Sequence, residues 1–202
     1  MSAYSIVDIP GWENLSLNNA DRTELEARLS ALAHQAVPDD VPRDSATPFR
    51  LELHKHLSRV VEHARSAGAG LICLPTRRMG DIAVPASYTV SEWRDGEGGA
   101  TTPETVLNAL AANSSSVTRL VDIDGQPALR EEGVEPANPT ADPLSRHAVR
   151  RVTYTVSSPT DDRAWLVFTF VTLGSADPTG PLADVLVELF DAQLTTVRWG
   201  EQ

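Results

Sequence analysis

Lysine is almost missing from this chain. Lys55 stands alone beside sixteen arginines, and the seventeen basic residues face twenty-eight acidic ones. The formal charge is −11 and the isoelectric point about 4.8. A surface so short of cations cannot neutralise a phosphate backbone, so nucleic acid is not an expected partner. Cysteine is equally scarce. Cys73 is the only one, so no internal disulfide can form, and its apolar setting in GLICLP reads as a buried, inert thiol. No uninterrupted apolar run approaches the ~20 residues of a membrane span. The opening MSAYSIVDIPGW has no basic stretch followed by an apolar core and a small-residue cleavage site, so no secretory signal is expected. These absences together predict a cytoplasmic protein without a membrane span.

Chemical signatures are missing too. AGAGLICLP carries Gly68 and Gly70 but follows a helical pattern and has no third glycine, so it reads as a helix stop rather than a dinucleotide loop. The chain has no phosphate-binding P-loop, no G-x-S-x-G elbow, no CxxC pair and no kinase signature set. VDIDGQ shares an Asp-x-Asp with calcium loops but not their closing glutamate, and reads as a hairpin turn at Asp124–Gly125. No catalytic constellation emerges, and no cofactor or metal is expected.

What is present is a clear alternation of patterns. Extended segments are predicted at Tyr4–Ile9 and Trp12–Leu17, then a helix through Leu25, Leu29 and Leu32. Residues 37–48, with three prolines, read as an exposed loop. From Phe49 to Ala67 the spacing of Phe49, Leu53, Leu57, Val60 and Ala64 predicts a helix with one buried stripe. Two strands follow, and Pro85 argues that the second, to Trp93, lies at a sheet edge or is bulged there. Thr102–Asn113 has the caps and spacing of a short helix. A hairpin comes next, and then residues 133–146 as a second exposed, proline-rich loop.

The last third is the most regular. AVRRVTYTV sets Arg150, Val152, Tyr154 and Val156 on one face. RAWLVFTFVTL is apolar on both faces, which predicts a central strand covered on each side. The closing stretch from Leu182 has a wide apolar arc and reads as a helix covering the sheet, with Trp199 pinning its end. The whole chain, 1–202, is therefore expected to form a single α+β domain: an antiparallel β-sheet covered by helices, the last packed on the sheet.

Two groups of candidate site residues stand out. Trp93 and Tyr88 on the expected edge strand, with Trp199, are candidates for contact with another protein. Glu52, His56 and His63 share one flank of the Phe49–Ala67 helix and, with Arg77 and Arg150, are candidates for a small-ligand or metal site. His56 and His63 are seven residues apart, about 10.5 Å along a helix axis. That is too far to share one zinc at ~2 Å per ligand.

The segments RRVTYTV, RAWLVFTFVTL and LADVLVELFDAQLTTVRW, with ARSAGAGLICL and VPASYTV, resemble a group of uncharacterised actinobacterial proteins of similar length. The order of elements is also loosely similar to the PsbP-like α+β fold. The resemblance implies an accessory or protein-binding role, with a link to type VII secretion, and it supplies no catalytic residues. The leading expectation is thus a noncatalytic protein that binds another protein. A ligand or metal site at the Glu52/His56/His63 flank is the first alternative, and an immunity-like protein that neutralises a toxin is the second.

Overall fold

A computed structural model describes residues 4–37, 41–77, 84–94, 102–138, 147–161, 163–172 and 177–200. In chain order these form β1 (Tyr4–Ser5), β2 (Trp12–Ser16), α1 (Arg22–Gln35), α2 (Arg43–Ser66), β3 (Ala69–Pro75) and β4 (Ala86–Arg94). They continue as α3 (Pro103–Asn113), β5 (Val117–Ile123), β6 (Gln126–Glu135), β7 (Val149–Ser157), β8 (Ala164–Thr172), α4 (Pro181–Leu194) and β9 (Arg198–Trp199). Seven strands make one antiparallel sheet in the order β2-β3-β4-β8-β7-β6-β5, and β1 pairs separately with β9. The expected α+β architecture is what the chain adopts.

Strand alternation sorts side chains onto two faces. On one face Cys73, Tyr88, Val90, Val152, Tyr154, Val156, Leu166, Phe168 and Phe170 pack beneath α4, which contributes Leu186, Val187, Phe190 and Leu194. Phe190 is the centre of this layer: its ring lies 5.2 Å from Phe170, 5.6 Å from Tyr88 and 5.9 Å from Tyr154. On the other face, Ile72 and Leu74 join Leu25, Leu29, Leu32, Val61 and Ala64 of the α1–α2 hairpin. At the far side of that same face, α3 sets Leu107 against Leu129 and Trp165. The strand expected to be central, β8, is fourth of seven and covered on both sides near Trp165.

Several expectations are corrected. Residues 43–48 are not loop: α2 begins at Arg43 and runs through Pro48, which forfeits one backbone bond near the helix start. Phe49 is 56% exposed, and the inward stripe instead passes through Ala46, Leu53, Leu57, Val61 and Ala64. β4 is not an edge strand, since β3 and β8 flank it. Residues 133–135 complete β6 rather than opening a loop, and 139–146 lie outside the described residues. The terminal stretch is not all helix. α4 stops at Leu194 and the chain turns into β9, where Trp199 pairs with Tyr4. Among the described residues no helix is long and apolar enough to cross a membrane.

Candidate functional site: the uncovered face of the sheet

α1–α2 cover the β2–β3 side of the sheet and α3 covers the β5–β6 side, and both lie on the face away from α4. Between them runs a strip of β4, β8 and β7 over which no described helix packs. Its floor is Thr89, Thr169 and Thr153 in register across three strands, continued to Glu131 on β6. Ser91, Val167 and Val171 complete it, and all seven of these side chains are half-buried. Hydroxyls and small β-branched groups suit a strand surface that meets water on one side.

The strip is closed at one end by an aromatic pair. Trp93 and Trp165 are cross-strand partners with ring centroids 5.9 Å apart. Trp165 is only 1% exposed, whereas Trp93 is 41% exposed. Beneath it, the Trp165 indole N–H has no hydrogen-bond partner among the described residues. At the other end the strip opens into a cleft of about 470 Å³ between the α3–β5 connection and strands β6 and β7. Ser115, Ser116, Glu131, Gly133, Arg151 and Thr153 line it. Gly133 leaves room there: a Cβ at this position would sit 2.9 Å from the Ser116 hydroxyl oxygen, which would have to turn away. Arg151 pairs with Glu135 at 2.7 Å on the rim.

The α4 face carries a second polar assembly, which sequence reading missed. Arg130 donates Nε and Nη2 to the two Asp191 oxygens at 3.0 and 2.9 Å, and reaches Glu132 at 2.7 Å. The Tyr154 hydroxyl donates to Asp191 at 2.8 Å. Arg150 donates Nε to Glu132 at 2.7 Å and also binds Asp184. Burial works against the charged form of each group, but the mutual hydrogen bonds outweigh it. The Arg130 and Arg150 pKa values therefore rise and that of Glu132 falls below its ordinary 4.5. Burial, then the bond to Asp191, pushes the Tyr154 hydroxyl up. Each of these carboxylates already faces a guanidinium, so the assembly fastens α4 to β6 and β7. Glu132 is half-buried inside it. A signal existed: Asp184 and Asp191 are seven apart, on one flank of α4, and Arg130, Glu132 and Arg150 occupy inward strand positions.

The candidate residues fall in different places. Trp93 is on the surface, at the end of the uncovered strip. Tyr88 is 1% exposed, its hydroxyl accepting from Gln193 at 3.1 Å and donating to Asn14 at 3.3 Å, so it belongs to the core. Trp199 is half-buried, and its indole N–H donates to the Ile123 carbonyl at 3.3 Å. Glu52, His56 and His63 are all exposed on the outer side of α2, and Glu52 meets Lys55 at 3.6 Å. His54, on the other flank, approaches Glu26 at 3.7 Å and lines a notch with His34 and Arg50 in the α1–α2 seam. Arg77 is exposed just beyond β3, while Arg150 is committed to Glu132 and Asp184. β3 and β7 are three strand spacings apart, ~14 Å, so these two arginines start from well-separated backbones. Arg78 lies outside the described residues. Among the described residues no three His, Cys, Asp or Glu side chains converge as metal ligands. Cys73 is buried, and burial pushes its thiol pKa up to about 11. No known family model matches the chain, and comparison with curated proteins finds no match either.

Proposed function

We propose that this is a noncatalytic accessory protein that binds another protein through the uncovered sheet face, with Trp93 as its anchor. The observation that carries the reading is the contrast within one aromatic pair, a buried Trp165 supporting a Trp93 that is 41% exposed. A large aromatic held rigidly at the end of a shallow polar strip loses little entropy on binding and contributes much contact area. The Thr89–Thr169–Thr153 row offers hydroxyls that donate or accept as a partner demands. The net charge of −11 favours a partner that presents cations. The narrower expectation, a partner in type VII secretion, rests on the resemblance of the strand and helix segments alone.

The test is site-specific photo-crosslinking in the cells that make the protein, with the probe at position 93 and, as a control, at position 56. A discrete adduct from 93 that is absent from 56 supports the reading. Trp93→Ala should then weaken capture of the same partner about tenfold or more, with the melting temperature nearly unchanged. Equal labelling from both positions, or a melting transition that collapses in Trp93→Ala, overturns it.

A further inference from the structure

β5 is the last strand of the sheet, and among the described residues no strand pairs with its outer side. Natural edge strands are commonly blunted by lysine, proline or a bulge. β5, VTRLVDI, has neither residue and pairs with β6 in unbroken register over all seven positions. It also exposes apolar side chains: Val117 is 76% and Leu120 51% exposed. The opposite edge, β2, is guarded. Asp8 accepts from Asn14 at 2.7 Å, and Arg28 reaches across to Glu13.

The turn after β5 fixes which backbone groups point outward. Asp124 and Gly125 both have positive φ, 51° and 80°, as the two central residues of a type I′ hairpin require. In such a hairpin the closing residues, Ile123 and Gln126, exchange both backbone hydrogen bonds, and the pairs alternate from there. Val117, Arg119, Val121 and Ile123 therefore direct N–H and C=O toward β6. Thr118, Leu120 and Asp122 direct theirs away from the sheet. Pro127 agrees with this alternation: it sits opposite Asp122, at a position that exchanges no bond with β5.

We propose that a second copy of this chain pairs antiparallel along β5, with the two-fold axis passing midway between the two Leu120 residues. The parity closes on itself. Leu120 faces its own copy and Thr118 faces Asp122 of the second copy, so every outward group meets an outward group. Three opposed pairs exchange six backbone hydrogen bonds and join the two sheets into one. Side chains agree as well. Leu120 meets Leu120, Asp122 meets a threonine, and Arg119 faces Val121, so no charge stands directly opposite its like. One seven-residue edge buries less than a standard interface of ~1,200–2,000 Å², and both copies are acidic, so the dimer is weak and strengthened by salt.

Cysteine pairing tests both the dimer and its register. Cys73 is buried, so an introduced surface thiol is the reactive one. Opposed residues of a hydrogen-bonded pair have Cα atoms ~5.5 Å apart, within disulfide reach. Leu120→Cys should oxidise to a covalent dimer. Thr118→Cys and Asp122→Cys should not do so alone, yet should when the two are mixed. In sedimentation velocity across micromolar to millimolar concentrations, the wild type should dimerise more strongly as salt is raised. Leu120→Lys should raise the dissociation constant about tenfold or more, and Thr118→Pro, which removes only an outward donor, should do likewise. A wild type that stays monomeric throughout, or a dimer untouched by Leu120→Lys, overturns the proposal. So does equal crosslinking by Thr118→Cys alone, or β5 capturing only a different protein.

Discussion

The two faces of the sheet are made by the same strands yet use opposite materials. Beneath α4 the inward positions are Phe168, Phe170, Tyr88 and Tyr154, closed by Phe190 and strapped by five interlocked charged groups. One residue away along each strand stand Thr169, Val167, Thr89 and Thr153, half-exposed and small. The first face supplies burial energy and a fixed geometry. The strip of the second face that no described helix covers, relieved of that duty, is free to present hydroxyls and small side chains without cost to folding. Residues beneath α4 should therefore govern stability, and those of the strip between the α1–α2 hairpin and α3 should govern binding.

The largest break is expected at Phe190. Phe190→Ala removes the ring around which three aromatics pack and should cost about 4 kcal/mol of unfolding free energy, read by urea denaturation. Arg130→Ala comes next. It leaves Asp191 and Glu132 without their shared cation and should cost about 3 kcal/mol, the lower end for breaking a buried pair because both carboxylates keep some access to water. The pH dependence follows from the same strap. Glu132 has a depressed folded-state pKa, so its ionised form contributes stability that is complete above its unfolded value. That contribution is lost as pH falls through the lower folded value. The urea midpoint should accordingly drop as pH falls below about 4.5, and Glu132→Gln should flatten that drop.

Smaller effects sharpen the contrast. Cys73 should resist alkylation in the native protein at pH 8 and react at once in urea. With its pKa near 11, only about one thiol in a thousand would be ionised at that pH even if reagent could reach it. On the uncovered face, Thr169→Ala should move stability by no more than about 0.5 kcal/mol. A large loss there would mean that the strip is packed after all.

Much of the scaffold can be read directly from residue patterns. Apolar residues on both faces of 164–172 required a central strand, and Asp124–Gly125 required a tight hairpin, because both are local consequences of period-two alternation and turn stereochemistry. The arc from Leu182 to Leu194 likewise announced a covering helix. Long-range pairing left no such trace. β9 finds β1 across almost the whole chain, and nothing in VRW distinguishes a strand from a last helical turn. Pro85 misled because a proline just before a strand looks like one inside an edge strand. Phe49 misled because its three- and four-residue spacing fits a stripe that in fact begins at Ala46. Of the candidate site, Trp93 was visible as an aromatic near a strand end. The threonine row was not, since its members come from three distant segments and align only through register.

One ladder has a temporal meaning. β2, β3 and β4 all precede residue 95, and β5 to β8 all follow residue 116, so only the nine-residue pairing of β4 with β8 joins the early strands of the sheet to the late ones. On the ribosome, the first half must hold β4 with one edge unpaired until β8 emerges, some seventy residues later. Through that interval, Tyr88 and Val90 await the layer that will cover them. The seam that makes the sheet continuous thus also opens an interval of exposure during synthesis, in which a chaperone or a neighbouring nascent chain competes with the protein's own second half.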